Sequence, residues 1–87
     1  MGSVIFQKRQ DIHAWLYKRT ASFLKETQRK RVEELLSREL DQGAVTAEEV
    51  SRLIRRDLRA LRDERVLSAF EYQNLVTALE ELLREAV

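Results

Sequence analysis

Apolar residues recur along most of the chain at three- and four-residue spacing, the pattern of helices with one buried face. The clearest stripe is Val50, Leu53, Ile54, Leu58 and Leu61. Thr46-Ala47-Glu48-Glu49 precedes it and has the Thr-x-x-Glu form of a capping box, which satisfies free N–H groups at a helix start. These features predict a helix from about Ala47 to Glu64. Ser68-Ala69-Phe70-Glu71 repeats the box and opens a second stripe of Tyr72, Leu75, Val76, Leu79, Leu82, Leu83 and Ala86. The connection between the two is short, which predicts an antiparallel helical hairpin.

Upstream, Ile5, Ile12, Leu16 and Phe23 share one face of a helix expected from about Val4 to Lys25. Val32, Leu35, Leu36 and Leu40 define a shorter helix that ends before Gly43, the natural place for the internal glycine. The polar stretch Lys25 to Arg31 predicts a turn near Lys25–Gln28, with Thr27 as a cap for the next helix. No Gly or Pro enforces that break, so the alternative is one long N-terminal helix followed by the hairpin. The expected fold is all-α, an antiparallel bundle of four helices formed by residues 4–87 as one domain. Met1-Gly2-Ser3 reads as a cloning remnant.

Composition narrows the chemistry. The chain has 87 residues, 44% hydrophobic and 36% charged, with two Gly, no Pro, no Cys and one His. Without Cys there are no disulfides, thiolate metal sites or cysteine nucleophile. A single His leaves no pair of imidazoles for a bundle di-iron site. One internal glycine cannot supply a nucleophile elbow, a phosphate loop or a dinucleotide fingerprint. Adjacent carboxylates such as Glu33-Glu34 and Glu80-Glu81 diverge by about 100° on a helix rather than converging on a substrate. His13 lies on the shoulder of the first apolar arc and is expected to be half-buried. The expectation is a protein that is not an enzyme and needs no cofactor or metal. No apolar run is long enough to span a bilayer, and there is no signal-peptide layout, so a cytoplasmic, membrane-free location is expected.

Three local resemblances bear on function. Ile54-Arg55-Arg56-Asp57-Leu58-Arg59-Ala60-Leu61 resembles the recognition-helix segment of DeoR-type repressors, but the second helix of a helix-turn-helix is missing, and DNA binding is not carried over. The succession of four helices, with Thr46-Ala47-Glu48-Glu49-Val50 opening the third, resembles the N-terminal helical domain of RsbU-type stress phosphatases. That resemblance implies dimerisation and binding of a kinase-like partner. Phe6-Gln7, Ile12-His13 and Leu67-Ser68 with Leu75-Val76 resemble the helical N-terminal region of Tad-type secretion ATPases, at a longer spacing than that family has. These are common words of helix surfaces and assign the chain to no family.

Charge supplies the remaining signal. The formal net charge is only +1, yet Lys8 to Arg31 is strongly basic and Val32 to Glu49 acidic. Arg52, Arg55, Arg59 and Arg62 share the face opposite the Leu/Ile stripe, with Arg56 at its edge. Arginine binds carboxylates and phosphates bidentately, so this face is the expected site for a protein partner with an acidic surface. No aromatics interleave with these arginines and acids lie among them, which places a nucleic-acid-binding helical domain second. On the first helix, Phe6, Trp15, Tyr17 and Leu24 widen the apolar arc and are the expected interface of a homodimer. Arg19 and Glu39 project into apolar stripes and are expected to pair. The sequence reading is thus a helical protein–protein interaction module, the regulatory or adaptor domain of a larger protein.

Overall fold

The computed structural model describes residues 4–85. Residues 1–3 and 86–87, among them Ala86 of the last stripe, lie outside the described residues. The fold is all-α with one short strand pair: β1 (Val4–Phe6), α1 (Arg9–Thr20), α2 (Glu26–Ser37), a 3-10 segment (Arg38–Gln42), β2 (Val45–Thr46), α3 (Ala47–Arg55), α4 (Asp57–Asp63) and α5 (Ala69–Glu85). α3 and α4 are one kinked helix, so the described residues form the four helices expected, packed as a bundle. None is long and apolar enough to cross a membrane among the described residues.

The core is continuous through all of these elements. Ile12 and Leu16 of α1, Val32 and Leu36 of α2, Val50 and Leu53 of α3, Leu58 and Leu61 of α4 and Leu75 and Leu79 of α5 are buried together. Thr20 is the buried polar residue, and its hydroxyl donates to the Leu16 carbonyl at 2.6 Å, so it carries no unmet hydrogen bond.

The N-terminal helix is shorter than its periodicity suggested. Val4–Phe6 is extended and pairs antiparallel with β2, Val4 opposite Thr46 and Phe6 opposite Val45, with an irregular register between them. The strand carries Phe6 into the core beside the fully buried Val45. The Phe6 and Trp15 rings meet edge-on at 6.0 Å between centroids. A strand of three residues is too short to show alternation, and its partner lies far along the chain.

The break after α1 is real, and it falls earlier than expected. Phe23 and Leu24 donate their amides to the Thr20 carbonyl at 3.0 and 2.7 Å, and α2 begins after Lys25 rather than Thr27. A lysine side chain cannot accept a hydrogen bond, so only half a capping box forms, with the Lys25 amide donating to Gln28 Oε1 at 2.7 Å. The Gln28 amide group then reaches α5, donating to the Val66 carbonyl and to Glu71 Oε1, each at 3.0 Å. Glu71 also accepts from the Ser68 amide at 2.8 Å, and the Glu71 amide donates to Ser68 Oγ at 3.1 Å. The second capping box is therefore present as read, and it is clasped to the start of α2. The hydrogen bond from the Ser68 amide, helped by Gln28, holds the Glu71 carboxyl below its ordinary range.

Gly43 closes the 3-10 segment at φ 118°, a conformation that side chains disfavour. α4 ends differently. Arg65 takes the left-handed conformation at φ 63°, and the Val66 amide donates to the Leu61 carbonyl at 2.9 Å. This is a Schellman-type stop with arginine where glycine is usual.

Candidate functional site

The α3–α4 face begins at a position fixed by local chemistry. Thr46 donates its amide to Glu49 Oε1 at 3.1 Å, and the Glu49 amide reaches Thr46 Oγ1 at 3.4 Å. Because Thr46 also belongs to β2, the strand pair locks the rotational start of α3. The helix then buries Val50 and Leu53, kinks at Arg56 (φ −117°, ψ −64°), and buries Leu58 and Leu61. The Arg56 amide still donates to the Arg52 carbonyl at 3.0 Å, and the Ala60 amide to Arg56 at 3.2 Å. The helical phase survives the kink, and Arg52, Arg55, Arg59 and Arg62 all remain exposed on the side away from the core.

The ends of this face are partly occupied. Arg52 Nη2 is 4.0 Å from Glu48 Oε1, with both side chains half or more exposed. The Arg62 guanidinium lies over the Tyr72 ring, 5.4 Å from its centre. Arg55 and Arg59 lie between them with no ion pair among the described residues. Arg59 and Asp63, four residues apart, form no ion pair among the described residues. Four guanidinium groups thus share a strip roughly 15 Å long, from the rise of 1.5 Å per residue.

The four residues expected at a homodimer interface do not share a surface. Phe6 lies in β1 rather than in a helix and is buried, Leu24 is buried in the turn after α1, and Trp15 packs partly buried against Phe6. Only Tyr17 is freely exposed, at 63%, with the Arg29 guanidinium 5.5 Å from its ring centre. The arc looked too wide for one core because β1 and the turn at residues 21–25 fold back over it.

The odd charges also find different partners. Arg19 donates to Glu81 of α5. Glu39 lies in the 3-10 segment, which turns it towards α3 rather than α1. There its carboxyl lies beside that of Glu49, and this neighbour, together with burial, raises the Glu39 carboxyl above its ordinary range. The Glu39 carboxyl and the bonds from Thr46 hold Glu49 below its own range against the opposing effect of burial. Glu49 Oε2 is buried and has no hydrogen-bond partner among the described residues.

A second polar cluster joins α1 to α2. Glu33 binds Arg9 Nε at 2.9 Å and His13 Nδ1 at 2.7 Å. The His13 side chain is 73% exposed rather than half-buried. Burial pushes the Glu33 carboxyl up, and the bonds to Arg9 and His13 more than offset this, leaving it lowered. Tyr17, Glu26, Arg29 and Lys30 continue the cluster along a groove of about 440 Å³. Glu26 and Glu33 line the same groove as Arg29 and Lys30. Among the described residues no three metal-ligating side chains converge. Comparison of the chain with protein-family models, with curated proteins and with solved structures returns no match.

Proposed function

We propose that this chain is a non-enzymatic helical interaction module that docks an acidic protein surface on the arginine face of α3 and α4. One observation carries the reading: Arg55 and Arg59 are exposed one helical turn apart, with no carboxylate in ion-pair contact among the described residues. Planar guanidinium groups hold carboxylates bidentately. Arg52 and Arg62 extend the face at both ends. Val50, Leu53, Leu58 and Leu61 anchor the opposite side in the core, so the strip is presented on a rigid support.

Such a contact is steered by charge and weakened by salt, since screening acts over about 8 Å at physiological ionic strength. The test is affinity capture with wild-type and Arg55→Glu/Arg59→Glu baits of equal helicity. The wild type retains an acidic protein that the double reversal releases. Equal retention by both baits contradicts the proposal. A gel-shift titration at low salt against random duplex and single strands separates the nucleic-acid alternative. Tight retention with a steep salt slope, dependent also on Lys8, Lys18, Lys25 and Arg29–Arg31, would favour that alternative.

A further inference from the structure

The polar cluster between α1 and α2 holds the chain's one histidine in a defined state. His13 Nδ1 meets Glu33 Oε1 at 2.7 Å, and Arg9 Nε holds the other carboxyl oxygen at 2.9 Å. The Glu33 side chain is mostly buried and its carboxyl pKa is lowered, so at neutral pH it is ionised and can only accept. The proton of the bond therefore sits on Nδ1, and in the neutral ring Nε2 keeps its lone pair. Nε2 has no hydrogen-bond partner among the described residues, and the His13 side chain is largely exposed.

The rest of the groove supplies positive charge. His13, Arg29 and Lys30 all line it. The antiparallel helices set His13 beside Glu33 and Tyr17 beside Arg29. Lys30 comes between these two pairings, three residues before Glu33 on the same face of α2. Arg29 Nη1 donates to the Leu24 carbonyl at 2.6 Å, which fixes its head and leaves its other nitrogens free of side-chain partners among the described residues. Neither Arg29 nor Lys30 is in an ion pair among the described residues. Glu33 is already matched by Arg9, so Glu26 is the one lining carboxylate left to oppose them. An exposed nucleophilic nitrogen thus stands beside two cations. The nitrogen suits an electrophilic centre, and the cations select one that carries anionic oxygens.

We infer that His13 Nε2 is a phosphoryl-acceptor site for donors of the phosphoramidate class, with Glu33 as its positioning residue and Lys30 and Arg29 holding the phosphoryl oxygens. The Nε2 lone pair forms the new N–P bond. The donor's P–N bond breaks, and its electron pair leaves with the donor nitrogen as a neutral amine or imidazole. The ring keeps its Nδ1 proton and becomes cationic, facing the Glu33 carboxylate that stabilises it. No other co-reactant is required. The site lies between α1 and α2 and uses none of the arginines on α3 and α4, so it stands apart from the docking face proposed above.

Phosphoramidate itself is the probe. The folded chain is incubated with it at neutral pH, intact mass follows the rate, and phosphorus NMR distinguishes the Nε2 from the Nδ1 adduct. A short peptide carrying residues 10–16 reports the reactivity of the same imidazole without the groove. The chain is expected to take one phosphoryl group, at Nε2, about tenfold or more faster than the peptide, the scale on which a positioned electrostatic partner acts. His13→Gln abolishes the adduct. Lys30→Gln, at an exposed position, keeps the helical circular dichroism and slows the reaction by about tenfold. Glu33→Gln, checked for equal helicity, loses the preference for Nε2 over Nδ1, a change that loss of a merely structural ion pair does not produce. A chain no faster than the peptide overturns the inference, as does an adduct on Nδ1 or one that persists in His13→Gln. Rates and isomer ratios indifferent to both Lys30→Gln and Glu33→Gln reduce the cluster to a clasp between two helices and overturn it as well.

Discussion

Replacing Phe6 with alanine separates the observed fold from the helical N-terminus that the periodicity suggested. Phe6 is 4% exposed, lies opposite Val45 in the strand pair, and meets the Trp15 ring edge-on. Truncating a buried phenylalanine to alanine costs about 3–5 kcal/mol, through lost transfer free energy and the cavity left behind. β1 is only three residues long and terminal, so the strand can relax into part of the void. The cost is expected near the lower end, about 3 kcal/mol. A domain of this size has about 4–13 kcal/mol in total, at about 0.05–0.15 kcal/mol per residue. Phe6→Ala therefore stays folded near room temperature but loses much of its margin. At about 4–8 °C per kcal/mol, Tm falls by roughly 12–24 °C. Urea unfolding followed by circular dichroism and by Trp15 fluorescence measures the change. Val4→Ala, at a half-exposed position of the same strand, serves as control and changes stability by about 0.5 kcal/mol or less. In the low micromolar range the Phe6→Ala deficit is independent of protein concentration, because Phe6 is buried within one chain. A loss below about 1 kcal/mol, or a deficit that scales with concentration, would refute the placement of Phe6 in the core.

Further outcomes follow from the polar contacts. Glu39 has a raised carboxyl pKa in the fold, so its contact with Glu49 contributes fully below the unfolded value and is lost as pH rises through the folded one. Glu39→Gln supplies a permanent N–H donor and is expected to raise stability by about 1 kcal/mol at neutral pH, with little gain near pH 4, read from urea midpoints. Glu71 has the opposite sign: its lowered pKa gives a contribution present above the unfolded value and lost as pH falls through the folded one. Glu71→Gln therefore costs about 1 kcal/mol at neutral pH and less in acid, read in the same way. Arg19 and Glu81 are both about 40% exposed, and a double-mutant cycle is expected to give a coupling of about 1 kcal/mol or less, the scale of surface pairs. Arg65→Gly relieves the left-handed strain at the end of α4 and is expected to raise Tm by a few degrees, equivalent to about 0.5–1 kcal/mol.

What the sequence made legible was local. The boxes at Thr46–Glu49 and Ser68–Glu71 form because their partners lie three residues apart, and the stripes that follow bury the positions read from them. The arginine face was legible for the same reason, since exposure opposite a buried stripe follows from phase alone. Non-local contacts were not. β1 and β2 are too short to show alternation, and neither Gly nor Pro marks the kink at Arg56. Phe23 and Leu24 disguised the first turn as more helix because their side chains serve the core from outside a helix. The partners of Arg19 and Glu39 depended on where those turns aim the helices. That geometry also makes Gln28, polar and unremarked in the chain, a tie between the starts of α2 and α5.

The most direct test of the arginine-face proposal is amide chemical-shift mapping of the labelled chain against the acidic protein it captures. The account predicts that the largest changes cluster on residues 52–62 and fade together as salt is raised. Changes concentrated on the α1–α2 groove around His13 and Arg29, with residues 52–62 unmoved, would contradict it.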